Sequence, residues 1–156
     1  RRLNMLSNYL NSNSGVAGHA LKINKITAST ALEAKHSGSI CLVNPTATTE
    51  IDLPSLEDAG SGWYVKIVLT EDTDGSDQGM GQKVNIDFGS GNDIVGYILE
   101  VDGAAGDQAV DNDDFVTCSA NASPGDTIEC FTDGERWYVQ GIVKDLTEVL
   151  FATAAG

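Results

Sequence analysis

Apolar and polar residues alternate with a period of two along most of the chain from Leu21 onward. The strongest run is Trp63–Thr70, in which Trp63, Val65, Ile67 and Leu69 share one face. Alternation of this kind puts successive side chains on opposite faces of a strand. Lys83–Phe88 repeats it, with Val84, Ile86 and Phe88 directed inward, and Ile94–Val101 sets Val95, Tyr97, Leu99 and Val101 on one face. Leu21 and Ile23 alternate against Lys22 and Asn24. Ser39–Asn44 is apolar on both faces, which predicts a central strand. Ile51 and Leu53 form a short strand ended by Pro54, which cannot donate to a ladder. Phe115–Ala120 and Leu146–Phe151 add two more, and Thr127–Gly141 reads as a hairpin about Asp133-Gly134.

The remaining segments punctuate these runs. Thr30-Ala31-Leu32-Glu33 matches a capping box and Gly38 a stop, predicting one or two helical turns over Thr30–His36. Two acidic, Gly/Asp-rich loops, 71–81 and 102–114, are expected to face solvent. The count comes to about nine or ten short strands, the spacing of an antiparallel β-sandwich or jelly roll rather than of βαβ units. Residues 1–20 read as an irregular N-terminal arm and 21–156 as one β-sandwich domain. In the arm, Leu3, Met5, Leu6, Tyr9 and Leu10 line one short helical face before Asn11-Ser12-Asn13-Ser14-Gly15 breaks it.

Charge sharpens this division. Of 9 basic and 23 acidic residues, the first 32 positions hold Arg1, Arg2, Lys22 and Lys25 and no acid, a charge of +4. The rest carries −18, which together with +4 makes the net −14. An acidic body repels nucleic acid and anionic membranes, because phosphate binding needs basic patches. The basic arm suits an acidic partner. No run approaches the ~18 apolar residues that span a bilayer. Arg1 and Arg2 precede no long apolar stretch, a poor match to a signal peptide. An opening Arg in place of Met points to a removed start residue or short segment.

Candidate chemistry is sparse. Cys41, Cys118 and Cys130 sit inside strand-like runs without CxxC spacing, so they read as small buried hydrophobes. A Cys118–Cys130 bridge would require their two strands to pair. Gly89-Ser90-Gly91-Asn92-Asp93-Ile94-Val95 fits part of a calcium-binding β-roll repeat, but such a roll needs several copies. Asp72-Thr73-Asp74-Gly75-Ser76-Asp77 lacks EF-hand spacing. His19 and His36 have no GxSxG elbow to serve. Asn121-Ala122-Ser123 is a sequon followed by Pro124. Trp63 and Trp137 share faces with β-branched residues, which favours core positions over sugar stacking. The shared Trp-Tyr-Val of 63–65 and 137–139 reflects strand preference more than a repeat. The expectation is no catalytic residues, no metal and no cofactor.

The order of several phrases resembles a known group. These are Ile26-Thr27-Ala28-Ser29-Thr30-Ala31-Leu32, Ser37-Gly38-Ser39-Ile40-Cys41-Leu42, Ile51-Asp52-Leu53-Pro54, Gly62-Trp63-Tyr64-Val65-Lys66-Ile67 and Gly125-Asp126 through Asp133-Gly134 to Trp137-Tyr138-Val139. Over roughly residues 26–151 the chain resembles tailed-bacteriophage virion proteins, a group that includes capsid decoration (cement) proteins and related head-fibre domains. The resemblance implies a non-enzymatic β-sandwich or jelly-roll subunit, a homotrimer bound to the major capsid protein on the outer capsid surface of the virion, and made in the host cytoplasm. It implies no cofactor and supplies no residue-level site, while the acidic body and the lack of a long apolar run carry the expectation of no nucleic acid and no membrane as partners. Our candidate capsid contact is the arm and its basic extension: Arg1, Arg2, Leu3, Leu6, Tyr9, Leu10, Lys22 and Lys25. Two alternatives stay open: a head-fibre or tail-fibre domain binding a host surface, and a carbohydrate- or calcium-binding β-sandwich module.

Overall fold

The computed structural model describes residues 21–70, 80–92, 94–101, 103, 106–109 and 113–153, and among these described residues twelve strands, a four-residue helix and a 3-10 segment form a β-sandwich of two sheets. The seven-stranded sheet has the order β1-β3-β5-β10-β11-β7-β8. Its strands are β1 (Lys22–Ile26), β3 (Ser39–Val43), β5 (Tyr64–Leu69), β7 (Ile94–Glu100), β8 (Gly106–Gln108), β10 (Thr127–Thr132) and β11 (Trp137–Val143). The five-stranded sheet runs β12-β9-β6-β4-β2. It comprises β2 (Thr30–Ala31), β4 (Thr49–Asp52), β6 (Val84–Asp87), β9 (Phe115–Cys118) and β12 (Val149–Ala152).

The sheets are mixed rather than antiparallel, and the reason lies in the connections. From β1 to β7 the chain switches sheet at every step, so no two successive strands are neighbours. Strands that return to a sheet after crossing the other run parallel to their predecessors. Hence β1, β3 and β5 pair in parallel, as do β2, β4 and β6. Residues 22–87 therefore wind as superposed coils. The β10–β11 hairpin docks antiparallel against β5 on one side and parallel against β7 on the other, and β7–β8, β6–β9 and β9–β12 are further antiparallel pairs. The turn predicted at Asp133-Gly134 forms, with Gly134 at φ 96° and the Asp133 carboxylate accepting the Glu135 and Arg136 N–H groups. These bonds, Glu135's first, hold the Asp133 carboxyl below the usual range.

Inward residues stack in columns between the sheets. One face contributes Cys41, Ile67 and Ile128, the other Ile51, Ile86, Val116 and Phe151, all buried. Both tryptophans are core residues. Trp63 and Trp137 meet edge to face at 5.5 Å, and Phe88 meets Trp137 at 5.9 Å. The two Trp-Tyr-Val tripeptides occupy equivalent heights on either side of β10, with Tyr64 and Tyr138 both opposite Phe131.

The described strands number twelve against the nine or ten expected, and the two with no counterpart in the pattern are β2 and β8, each at a sheet edge. Both are too short and polar to show periodicity. They form because backbone groups of β4 and β7 need partners. Thr30-Ala31 is thus strand, and the helical turn is confined to a 3-10 segment, Ala34–His36. His36 closes that segment, its Nδ1 accepting the Glu33 N–H at 2.8 Å. A four-residue helix, α1 (Leu56–Ala59), follows Pro54 and is capped by Ser55.

Cys118 and Cys130 lie in opposite sheets and all three thiols are free. Burial pushes Cys118 up to about 12 and raises Cys41 and Cys130, so all three stay protonated at neutral pH. Asp126 is buried, its carboxylate accepting the Ser123 N–H at 2.9 Å and the Lys144 N–H at 2.8 Å. Burial raises this carboxyl, and the two N–H groups act against that rise.

Gly96 marks the tightest spot in the seven-stranded sheet. A Cβ there would come within 2.1 Å of the Val139 carbonyl oxygen, a backbone atom that no rotamer change can move. Gly96→Ala should therefore cost about 1–3 kcal/mol, the usual range for overpacking. Urea or thermal unfolding would read this as a lowered midpoint, and an unchanged midpoint would show that β7 and β11 can slide apart freely.

Candidate functional site

The outer face of the seven-stranded sheet is built from the outward positions of six strands. These are Ile23 and Lys25 on β1, Ile40 and Leu42 on β3, Tyr64, Lys66 and Val68 on β5, Thr127, Glu129 and Phe131 on β10, Tyr138, Gln140 and Ile142 on β11, and Val95, Tyr97 and Leu99 on β7. Register aligns them in rows. One row reads Ile23, Ile40, Lys66, Glu129, Gln140, Tyr97, and the next Lys25, Leu42, Val68, Thr127, Ile142, Leu99. Leu21 and Val101 continue the same parity just outside β1 and β7.

This face is unusually apolar for a surface. Among the described residues eight large apolar side chains are exposed. Seven belong here: Leu21, Ile23, Val95, Tyr97, Leu99, Val101 and Ile142. The eighth, Leu150, sits on the other sheet. Val101 and Ile142 are 66% and 58% exposed. Scattered apolar residues on a surface need no explanation, but a contiguous apolar patch marks a contact site. The sequence placed Val95, Tyr97, Leu99 and Val101 on one face without saying which. They point out, because Ile94 and Ile98 of the same strand fill the core.

Two of the charged groups on this face are paired to each other. Lys66 and Glu129 form a cross-strand ion pair at 3.0 Å, each about one-third exposed. Such a pair is worth on the order of 0.5 kcal/mol, so it tidies charge within an apolar field more than it stabilises the fold. Phe131 and Tyr138 stack at 5.1 Å, and the Tyr138 hydroxyl donates to Asp133 at 2.8 Å. A groove of about 710 Å³ opens at the β1–β5 end, lined by Lys25, Thr27, Leu42, Val68 and Pro124 among others. A smaller hollow of about 150 Å³ lies beside Tyr97, Leu99, Thr127 and Ile142.

The opposite outer face differs. Glu50 and Asp52 of β4 and Asp87 of β6 bring their carboxylates within 4.8 Å of one another, the one such acidic trio among the described residues. Sequence reading missed it. The alternation around Ile51 and Ile86 turns these acids outward, but only the parallel β4–β6 register sets Asp52 against Asp87.

Of the candidate contact residues, Arg1, Arg2, Leu3, Leu6, Tyr9 and Leu10 lie outside the described residues. Lys25 is exposed and lines the groove. Lys22 is committed locally, donating to the Lys35 carbonyl. In the acidic loops, residues 71–79 lie outside the described set. Parts of 102–114 correct the expectation of solvated carboxylates. Asp107 accepts the Phe151 N–H at 2.8 Å, Asp114 accepts the Gly91 N–H at 3.1 Å, and Asp113 is buried. Asp107 and Asp114 thus serve as acceptors for backbone N–H groups of neighbouring segments. No family model matches the chain, and no curated protein matches it.

Three carboxylates in one place repel each other, as like charges on facing strand positions do. Asp52→Asn should raise Tm by about 1–2 °C at low ionic strength. The gain should shrink in high salt as screening sets in. A lowered Tm in calcium-containing buffer would instead mean that the trio holds a cation.

Proposed function

We propose that this chain is a non-enzymatic virion structural protein, a decoration (cement) subunit that binds the outside of a phage capsid and stabilises the head. The observation that supports this most is the apolar outer face of the seven-stranded sheet. A broad, shallow, apolar surface on a body of net charge −14 suits contact with other protein subunits. The ordered phrases between Ile26 and Phe151 that resemble decoration proteins add the kind of assembly. Partners on this reading are the major capsid protein and further copies of this chain in a homotrimer. A subunit that binds only the assembled lattice stabilises it by mass action. The acidic body keeps such subunits soluble before they bind. The buried Trp63 and Trp137 are not free to stack on sugars.

Copy number per particle, measured by mass spectrometry of purified virions, tests the reading. A number comparable to that of the major capsid protein is expected. A few copies, matching vertices or a tail, would replace decoration with a fibre role, and absence from the particle would overturn the proposal. The arm has its own test. Removing residues 1–20 should abolish or sharply weaken binding to capsids lacking this subunit. Undiminished binding would show that the arm, with Arg1, Arg2, Leu3, Leu6, Tyr9 and Leu10, is not the capsid contact.

A further inference from the structure

We propose that the apolar ridge on the outer face of the seven-stranded sheet is the seat of this chain's own N-terminal arm, with Leu3, Leu6, Tyr9 and Leu10 laid against Tyr97, Leu99 and Ile142. The inference concerns the free subunit and goes beyond the decoration reading. Residues 1–20 lie outside the described residues. Their point of attachment, length, charge and apolar pattern single out this face.

The arm joins the body on this face. Leu21, the residue that follows it, is 65% exposed and precedes β1, an edge strand of the seven-stranded sheet. Register sets Leu21 at the end of the outward row Tyr64, Phe131, Tyr138, Val95. Across the sheet from that point, Val95, Tyr97, Leu99, Val101 and Ile142 stand out into solvent as a ridge. At the usual strand spacing and rise, Leu21 and Leu99 are about 27 Å apart. Residues 11–20 span at most about 35 Å when extended, so Leu10 and the residues before it reach the ridge. A tether this short also holds the arm at an effective concentration on the order of millimolar.

Charge and side-chain type select the arm as occupant. Residues 1–20 hold Arg1 and Arg2 and no acid, a charge of +2, and the remaining residues carry −16. The body therefore attracts the arm, whereas it repels another acidic chain. On β1, β3, β5, β10, β11 and β7 the outward charges are Lys25, Lys66 and Glu129, and the last two are already paired. An apolar segment thus covers the ridge without burying a lone charge. Leu3, Leu6, Tyr9 and Leu10 recur at i, i+3, i+6 and i+7, the spacing by which an amphipathic segment presents one apolar face. The hollow of about 150 Å³ beside Tyr97, Leu99, Thr127 and Ile142 accepts one such side chain. With Leu10 near Leu99 and Leu3 toward Val95, Arg1 and Arg2 come to the exposed Asp133 and Glu135 of the hairpin turn. Asp133 borders the face directly, through its hydrogen bond from the outward Tyr138.

Disulfide trapping in the full chain tests the seat. Cys41, Cys118 and Cys130 are buried, so introduced thiols report alone. Ser7→Cys in the arm, combined with Gln140→Cys beside the ridge, should close a disulfide within one chain. It should do so about tenfold faster than Ser7→Cys combined with Glu50→Cys on the opposite outer face, because docking raises the local concentration. Adding Leu3→Glu and Leu6→Glu should remove that advantage. In the chain without introduced thiols the same two glutamates should raise binding of an apolar fluorescent dye severalfold, with the far-ultraviolet β signal kept. Equal trapping at the two sites overturns the inference, as does dye binding that the glutamates leave unchanged. Disulfides that join two chains overturn the own-chain seat. On the decoration reading the arm exchanges this seat for the capsid, and the two readings fail separately. An arm trapped on a chain absent from virions sinks only the decoration role, and an untrapped arm on a chain abundant on virions sinks only this inference.

Discussion

The pairing of β10 on both of its edges is the constraint on which the rest depends. This strand joins the parallel coil β1–β3–β5 to the second half of its sheet through β11 and β7. Its inward Ile128 and Cys130 are fully buried, and Thr132 donates its N–H to the Trp63 carbonyl on one side and pairs with Trp137 on the other. The edge-to-face contact of the two indoles closes the end of the sandwich beneath the Asp133-Gly134 turn. Aromatic pairs of this geometry contribute beyond simple burial, on the order of 0.5–1.5 kcal/mol. Without β10 the coil would end in an open edge at β5, and a long exposed edge invites uncontrolled pairing.

Two sheets packed on one core leave two outer faces, and these have opposite chemistry. The five-stranded face gathers Glu50, Asp52 and Asp87. The seven-stranded face gathers Tyr97, Leu99 and Ile142 around one Lys66–Glu129 pair. The asymmetry costs solubility on one side and adds it on the other. The high net negative charge limits promiscuous association through the apolar side.

Much of the fold was legible in the chain. Ten of the strands announce themselves by a period-two pattern or a short apolar run, and the hairpin carries its turn signal. The core positions of Trp63 and Trp137 followed from the β-branched residues that share their faces. Sequence reading failed where pattern is absent or ambiguous. Thr30-Ala31 and Gly106–Gln108 are strands because neighbours need partners, a long-range demand with no local signature. Asp107 and Asp113 sat in a stretch that reads as solvated loop, yet Asp107 holds the Phe151 N–H and Asp113 is buried. The ridge was half visible: the shared side of Val95, Tyr97 and Leu99 was clear, its outward direction was not.

The sequence by itself determined the β class, the alternation of side chains along the patterned strands, the main turns and the split between a basic start and an acidic body. These depend on side-chain period, backbone preference and formal charge, which are local or additive properties. Only the tertiary structure decided the mixed pairing, the alternation between sheets, the meeting of Asp52 with Asp87, and which apolar side of β7 faces water. Each of those is a matter of register between strands far apart in the chain. Where a strand is apolar on both sides, as β3 and β7 are, its own residues hold no preference that would settle the choice, and the neighbours on either side settle it instead.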